Sequence, residues 1–171
     1  MAFQLSADAR AEWRANWKLV LASTTGGSMM SIALSAMGAY MLPLEQEFGW
    51  KRAEVAAGFS IFAVAGVILS PILGGLIDRW GARRFALPGV FLYGLTFALL
   101  GTATASLAYW IALWVVFAVC AQIPRPLIWT AAVSSEFDKS RGLALGIVMA
   151  GAGFGGLAAP VLAGRLIDLL G

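Results

Sequence analysis

The sequence predicts an all-α membrane protein built on five spanning helices. Three observations carry that reading. The composition is 60% hydrophobic and only 12% charged, about half the charged share that clothes an ordinary soluble domain. The charges are clustered, so long stretches carry none. Those stretches have the length a helix needs to cross a hydrocarbon core, about 20 apolar residues. The same composition excludes much chemistry. There is no histidine to serve as base or metal ligand, and the single cysteine, Cys120, can make neither an internal disulfide nor a zinc site. No carboxylate and no nucleophile–base set lies inside a span. Neither an enzymatic activity nor a cofactor is expected.

The elements follow in order. Residues 1–18 read as a cytoplasmic lead bearing Asp8, Arg10, Glu12, Arg14 and Lys18. Trp13 and Trp17 share a helical face there, which suits either an interfacial helix or a loosely ordered segment. The acidic residues, and an apolar run longer than a signal peptide's, argue against cleavage. The first spanning helix covers about 19–42, where Ser23, Thr24, Thr25, Ser28, Ser31 and Ser35 are expected to hydrogen-bond within the bundle. The second covers about 55–77. The third, about 85–103, and the fourth, about 107–133, share one apolar run that turns at Gly101-Thr-Ala-Thr-Ala-Ser106. The fifth covers about 142–165, with Gly142, Gly146 and Ala150, and Gly151 and Gly155, recurring every four residues, a spacing that lets helix backbones approach closely. Residues 19–171 thus form one transmembrane domain.

Lys and Arg fix the orientation. Arg10, Arg14, Lys18, Arg79, Arg83, Arg84, Lys139 and Arg141 fall on one side, against Lys51, Arg52 and Arg165 on the other. The positive-inside rule puts the amino terminus in the cytoplasm. The expected surroundings are a lipid bilayer, in a bacterial inner membrane or a plasma membrane, with no nucleic-acid partner. Trp17, Trp50, Trp80 and Trp110 fall near helix ends, as an aromatic belt requires, while Trp114 and Trp129 lie deeper and are expected to pack between helices.

The chain also repeats itself. Sliding it so that Glu47 meets Glu136 brings Phe48 onto Phe137, Arg52 onto Arg141, Gly66 onto Gly155 and Pro71 onto Pro160. One further step brings Leu76-Ile77-Asp78 onto Leu166-Ile167-Asp168. The repeat relates the second spanning helix to the fifth, an odd number of crossings later, so the two triplets have inverted topology. Inverted repeats of this kind are common in secondary transporters.

The loop after the second helix reads Gly74-Gly-Leu-Ile-Asp78-Arg79-Trp-Gly81-Ala-Arg83-Arg84. It resembles the signature loop of the major facilitator superfamily, Gly-x-x-x-Asp-Arg-x-Gly-x-Arg-Arg, in spacing, helix number and side of the membrane. Physically, Gly74 allows close helix approach and Gly81 permits the tight turn. Asp78 sits at a helix carboxyl end, which disfavours an anion and calls for a cationic partner. Arg141 on the same face is the candidate. Arg79 and Arg83 complete the motif, and Arg83 and Arg84 suit anionic headgroups. Glu47-Phe-Gly-Trp50-Lys-Arg52 and Phe137-Asp138-Lys-Ser-Arg141-Gly142-Leu-Ala144-Leu-Gly146 are similar to segments of the branch containing monocarboxylate transporters and oxalate/formate antiporters. The resemblance implies an incomplete six-helix amino-terminal half of that fold, with the remaining carboxyl-terminal helices as its partner. It implies secondary transport of a small organic solute by alternating access, with the loop as part of a gate. The alternative is a non-transporting membrane scaffold or sensor built on a transporter half-fold.

Arg125 is the one charge deep inside a span. Counting back from Ser134 at about 1.5 Å per residue places it about 13 Å from the cytoplasmic end, near the midplane of a core about 30 Å thick. A central arginine costs about 2.5–3.5 kcal/mol on insertion scales. Two readings offset that cost: a guanidinium that binds a substrate carboxylate, or one that satisfies carbonyls freed where Pro124 and Pro126 bend the helix.

Overall fold

The computed structural model describes residues 6–170, apart from the side chains of Asp78, Ala82, Arg83, Leu127, Asp168 and Leu170. The described residues form six helices: α1 (Ala7–Phe48), α2 (Arg52–Trp80), α3 (Ala82–Leu100), α4 (Leu107–Cys120), α5 (Pro126–Glu136) and α6 (Arg141–Leu170). Three of them, α1, α2 and α6, are long and apolar enough to cross a membrane. The outer surface is apolar, with Val67, Leu87 and Phe154 largely exposed, as a lipid-facing surface requires.

Two sequence expectations need correction. The lead is not a separate segment. Ser6 Oγ accepts a hydrogen bond from Ala9 N–H at 3.2 Å, and from that cap α1 continues unbroken into the apolar span. The charged residues of the lead are tolerated because nothing in residues 7–42 breaks a helix. At 42 residues α1 is roughly 63 Å long, about twice the hydrocarbon core, so its first turns stand clear of it. It ends where Gly49 takes a left-handed φ of 69°. The expected fourth helix is in turn two helices. Pro124 and Pro126 supply no backbone N–H, and the chain opens between Ala121 and Arg125. The last turn of α4 tightens, with Gln122 N–H donating to Val119 O and Ile123 N–H to Cys120 O. Pro126 then starts α5, a position proline favours.

The helices pair in a pattern that local sequence does not reveal. The two most extensive pairings are α1 with α6 and α2 with α4. Thr24 and Ser28 lie against Gly151, Ser28 against Gly155, and Ala36 beside Ala159 and Ala163. Both helices advance together, so they are parallel. Trp50 ahead of α2 meets Trp110, Phe59 meets Trp114, and Phe62 meets Phe117, so α2 and α4 are parallel too. α5 carries on in the direction of α4 and runs antiparallel to α1, with Trp129 against Gly26 and Glu136 against Asn16.

Ser28 Oγ lies 2.7 Å from Gly151 O and 2.7 Å from Thr24 O. Its single proton serves both carbonyls in a tight α1–α6 contact. Glycine makes this approach possible at positions 151 and 155. At Gly142 and Gly146 a side chain would meet nothing within 4 Å, so those two do not mediate packing. The core is aromatic. Trp110, Trp114 and Phe117 are buried together with Tyr93, whose hydroxyl donates to Met30 O at 3.2 Å. Trp50 joins them, donating to Ala105 O. Trp50 and Trp110 therefore pack inward and leave the belt positions to the exposed Trp17 and Trp80.

Candidate functional site

The break between α4 and α5 builds the site. Because the chain is not helical at Pro124 and Arg125, the Arg125 side chain leaves the α4 surface and crosses to α2. There Nη1 donates to Ser70 Oγ at 2.8 Å. Ser70 in turn donates to Gly66 O, one turn back on α2, so the hydroxyl's lone pair is held toward the guanidinium. Gly66 is a close-contact position, since a Cβ there would lie 2.5 Å from Arg125 Nη2. The kink carbonyl of Pro124 is taken by Trp129 Nε1–H at 3.0 Å, with Gly26 leaving room for the indole. Of the two readings of Arg125, the carbonyl-satisfying role thus belongs to Trp129. Among the described residues no carboxylate pairs with Arg125.

Arg125 lines a cavity of about 420 Å³ between α1, α2 and the α4–α5 break. Met30, Leu34, Phe62 and Leu73 give it apolar walls, while Ser70, Gln122 and Arg125 supply its polar groups. A half-buried guanidinium with donors to spare, in an apolar recess, can take up an anion through two parallel hydrogen bonds.

The signature loop lies at the far end of α2. Gly81 has φ 83°, a conformation that favours glycine, and the turn is packed by Trp80 stacked on Phe85 at 6.0 Å. Arg79 and Arg84 are exposed. Gly74 does not serve close helix approach, because a Cβ there would meet nothing within 4 Å. It lines the Arg125 cavity instead. The expected partnership of Asp78 with Arg141 lies outside the described residues, as does the Arg83 side chain. Arg141 itself is exposed at the start of α6.

Beside that loop stands a contact that sequence reading missed. The Glu12 carboxylate, on the projecting part of α1, accepts from Lys139 N–H at 2.9 Å, Ser140 N–H at 3.1 Å, Asp138 N–H at 3.2 Å and Ser140 Oγ–H at 3.0 Å. These amides precede α6 and have no helical partner. A distant carboxylate therefore caps α6. The Lys139 amide, first among these donors, holds the Glu12 carboxyl below its ordinary value of 4.5. Asn16 adds a hydrogen bond to Glu136 O, and Trp13 packs edge-on against Phe137 at 5.2 Å. Gly66 and Gln122 were also missed. Gly66 had a signal, as the counterpart of Gly155 in the repeat, and both prove to be close-contact glycines.

Comparison with known proteins agrees with this architecture. The family profile of the Major Facilitator Superfamily matches residues 20–171. MFS-type transporter 1 of Ophiocordyceps sp. is 35% identical over 103 residues, covering 58% of this chain and 22% of that protein. The fujikurins efflux protein of Gibberella fujikuroi is 27% identical over 161 residues, covering 90% and 33%. MFS-type transporter ppzB of Metarhizium rileyi is 27% identical over 166 residues, covering 91% and 33%. The chain therefore spans a third or less of the length of these relatives. All three are fungal, so they lend no support to a bacterial membrane. No solved structure matches. With the family profile covering nearly the whole chain, the protein belongs to the Major Facilitator Superfamily, and so to the integral membrane transport proteins rather than to the enzymes.

Proposed function

We propose that this chain is the amino-terminal part of a secondary active transporter that moves a small organic anion, a carboxylate, by alternating access. The observation that carries the reading is the Arg125 guanidinium, braced by Ser70 and without a carboxylate partner among the described residues, over a cavity of about 420 Å³. The length of the relatives supports further helices that complete the fold. In this reading there are five membrane passes, α4 and α5 together forming the fourth, with the amino terminus in the cytoplasm and the protein in a plasma membrane. Exchanging the first pass with the fourth and the second with the fifth turns the α1–α6 pairing into the α4–α2 pairing. That interchange supports an inverted repeat. Gly74, Asp78, Arg79, Gly81, Arg83 and Arg141 form the cytoplasmic gate, with Asp78 paired to Arg141 in one conformation only.

The test is carboxylate binding and transport by the complete protein in proteoliposomes, measured in both directions because one relative is named for efflux. Arg125→Lys keeps the charge but loses the planar fork, and should weaken binding by about tenfold. Arg125→Ala should abolish binding while the protein still inserts, because a costly intramembrane charge is gone. A well-folded Arg125→Ala protein that binds carboxylates as tightly as the parent would exclude Arg125 as the anion site.

A further inference from the structure

A separate cavity of about 400 Å³ lies at the end of the bundle opposite the signature loop, where the carboxyl ends of α1 and α3 meet the start of α4. Its walls are aromatic: Tyr40 and Phe48 from α1, Phe97 from α3 and Trp110 from α4. Three of these rings are braced by others. Phe48 lies 4.8 Å from Trp50, Trp50 lies 5.6 Å from Trp110, and Phe97 stacks on Tyr93 at 6.4 Å. The walls are therefore in place before a ligand arrives. Among the described residues Glu47 is the one charged side chain on the lining, and it is exposed at the rim.

That carboxylate has no counter-charge. α1 ends at Phe48 with no basic residue in its last turn, and the negative end of a helix disfavours an anion. Lys51 and Arg52 are the basic residues nearest in sequence, and neither pairs with Glu47, since Arg52 reaches Glu45 at 4.0 Å. The internal repeat supplies a contrast. Glu136, the counterpart of Glu47, lines a cavity at the other end of the bundle, and Lys18 lines that cavity with it. The chain provides a cation beside one of the two glutamates and not beside the other.

We infer that the Glu47 cavity binds an organic cation with an apolar body, an aryl or alkyl ammonium ion whose head lies between the carboxylate and the aromatic walls. The inference is independent of the anion reading of Arg125, which concerns a different cavity. Aromatic rings attract a cation over their faces. A neutral molecule of the same shape gains the walls without that attraction. An anion meets Glu47 and finds no Lys or Arg on the lining. Water screens an exposed carboxylate, so the selectivity is severalfold rather than a matter of many decades.

The experiment titrates the purified complete protein, in uncharged maltoside micelles, with benzyltrimethylammonium and with its uncharged carbon isostere neopentylbenzene. Binding is read by calorimetry at matched free concentrations in water. The cation should bind at least about fivefold tighter than the isostere. Glu47→Gln should weaken the cation by about threefold or more and leave the isostere unchanged. Phe97→Leu should weaken the cation more than the isostere. The parent comparison needs no variant and stands even if Phe97→Leu fails to fold. Equal binding of the two probes by the parent, or no saturable binding of the cation, overturns the inference. So does a folded Glu47→Gln protein that binds the cation as tightly as the parent. Repeating the titration in phosphatidylcholine nanodiscs should leave the affinity unchanged, and its loss there would give the site to the lipid headgroup and overturn the reading of a free organic cation.

Discussion

Two glycines on α6, Gly153 and Gly155, make opposite predictions for the same substitution. Alanine in place of glycine favours a helix by about 1 kcal/mol when nothing else changes. At position 153 a methyl group would meet nothing within 4 Å, so Gly153→Ala should be neutral or stabilise the protein by up to about that amount. At position 155 the methyl would lie 2.8 Å from Ser28 O and 3.1 Å from Ser28 Cα. Both are backbone atoms of α1, so no rotamer change relieves the contact and the helices must part. Overpacking of this kind costs about 1–3 kcal/mol. Separation also lengthens the Ser28–Gly151 hydrogen bond, worth about 0.6 kcal/mol in a membrane protein. The two variants should therefore differ in unfolding free energy by about 2–4 kcal/mol, with Gly155→Ala the weaker. Unfolding in mixed micelles by titrated denaturing detergent, followed by tryptophan fluorescence, measures the difference. Gly155→Ala at least as stable as Gly153→Ala would refute the α1–α6 contact as the source of the glycine requirement.

Further outcomes follow from the end of the molecule that carries Glu12 and the signature loop. Glu12→Ala should expose the Asp138, Lys139 and Ser140 amides and raise their hydrogen exchange severalfold, while the amides in the middle of α6 are unaffected. Because the folded carboxyl titrates below 4.5, the contribution of this cap is complete above about pH 4.5 and is lost as pH falls through the depressed value. An acid-induced loss of protection at these amides, taken relative to the intrinsic exchange rate at each pH, in the parent and not in Glu12→Ala is the expected signature. Asp78→Asn should slow transport more than it weakens substrate binding, because the proposed pairing exists in one conformation only. Unchanged transport at normal expression would remove Asp78 from the gate.

What the sequence made legible was whatever is written locally. Charge-free runs located the apolar helices, since a charge inside a bilayer is expensive enough to leave a visible gap. Gly81 and the Gly101–Ser106 segment located turns, because each is a short-range backbone requirement. Pro124 and Pro126 announced a disturbance, but propensity alone did not distinguish a bend from a break. That depended on Trp129 reaching back to Pro124 O. Pairwise facts stayed hidden. Glu12 looked like one charge of a polar lead, since its partners lie more than a hundred positions away. Gln122 looked like an incidental amide in an apolar run until Ala118, Phe62 and Gly66 surrounded it. Gly74 looked like a packing glycine because spacing does not say which face of a helix meets a neighbour.

The parallel pairing of α1 with α6 has a consequence for biosynthesis. Ser28 and Gly151 are 123 positions apart, so α1 enters the membrane well before its principal partner has been made. At roughly 5–20 residues per second the wait is on the order of ten seconds, during which each unpaired polar group in lipid would cost several kcal/mol. The hydroxyls of Thr24, Thr25, Ser28 and Ser31 each reach a carbonyl one turn back on α1 itself, at Val20, Leu21, Thr24 and Gly27. These four hydroxyls are thereby satisfied within α1 while it waits, and α6 arrives to share the Ser28 bond already formed; Ser23, whose hydroxyl has no partner among the described residues, is the exception.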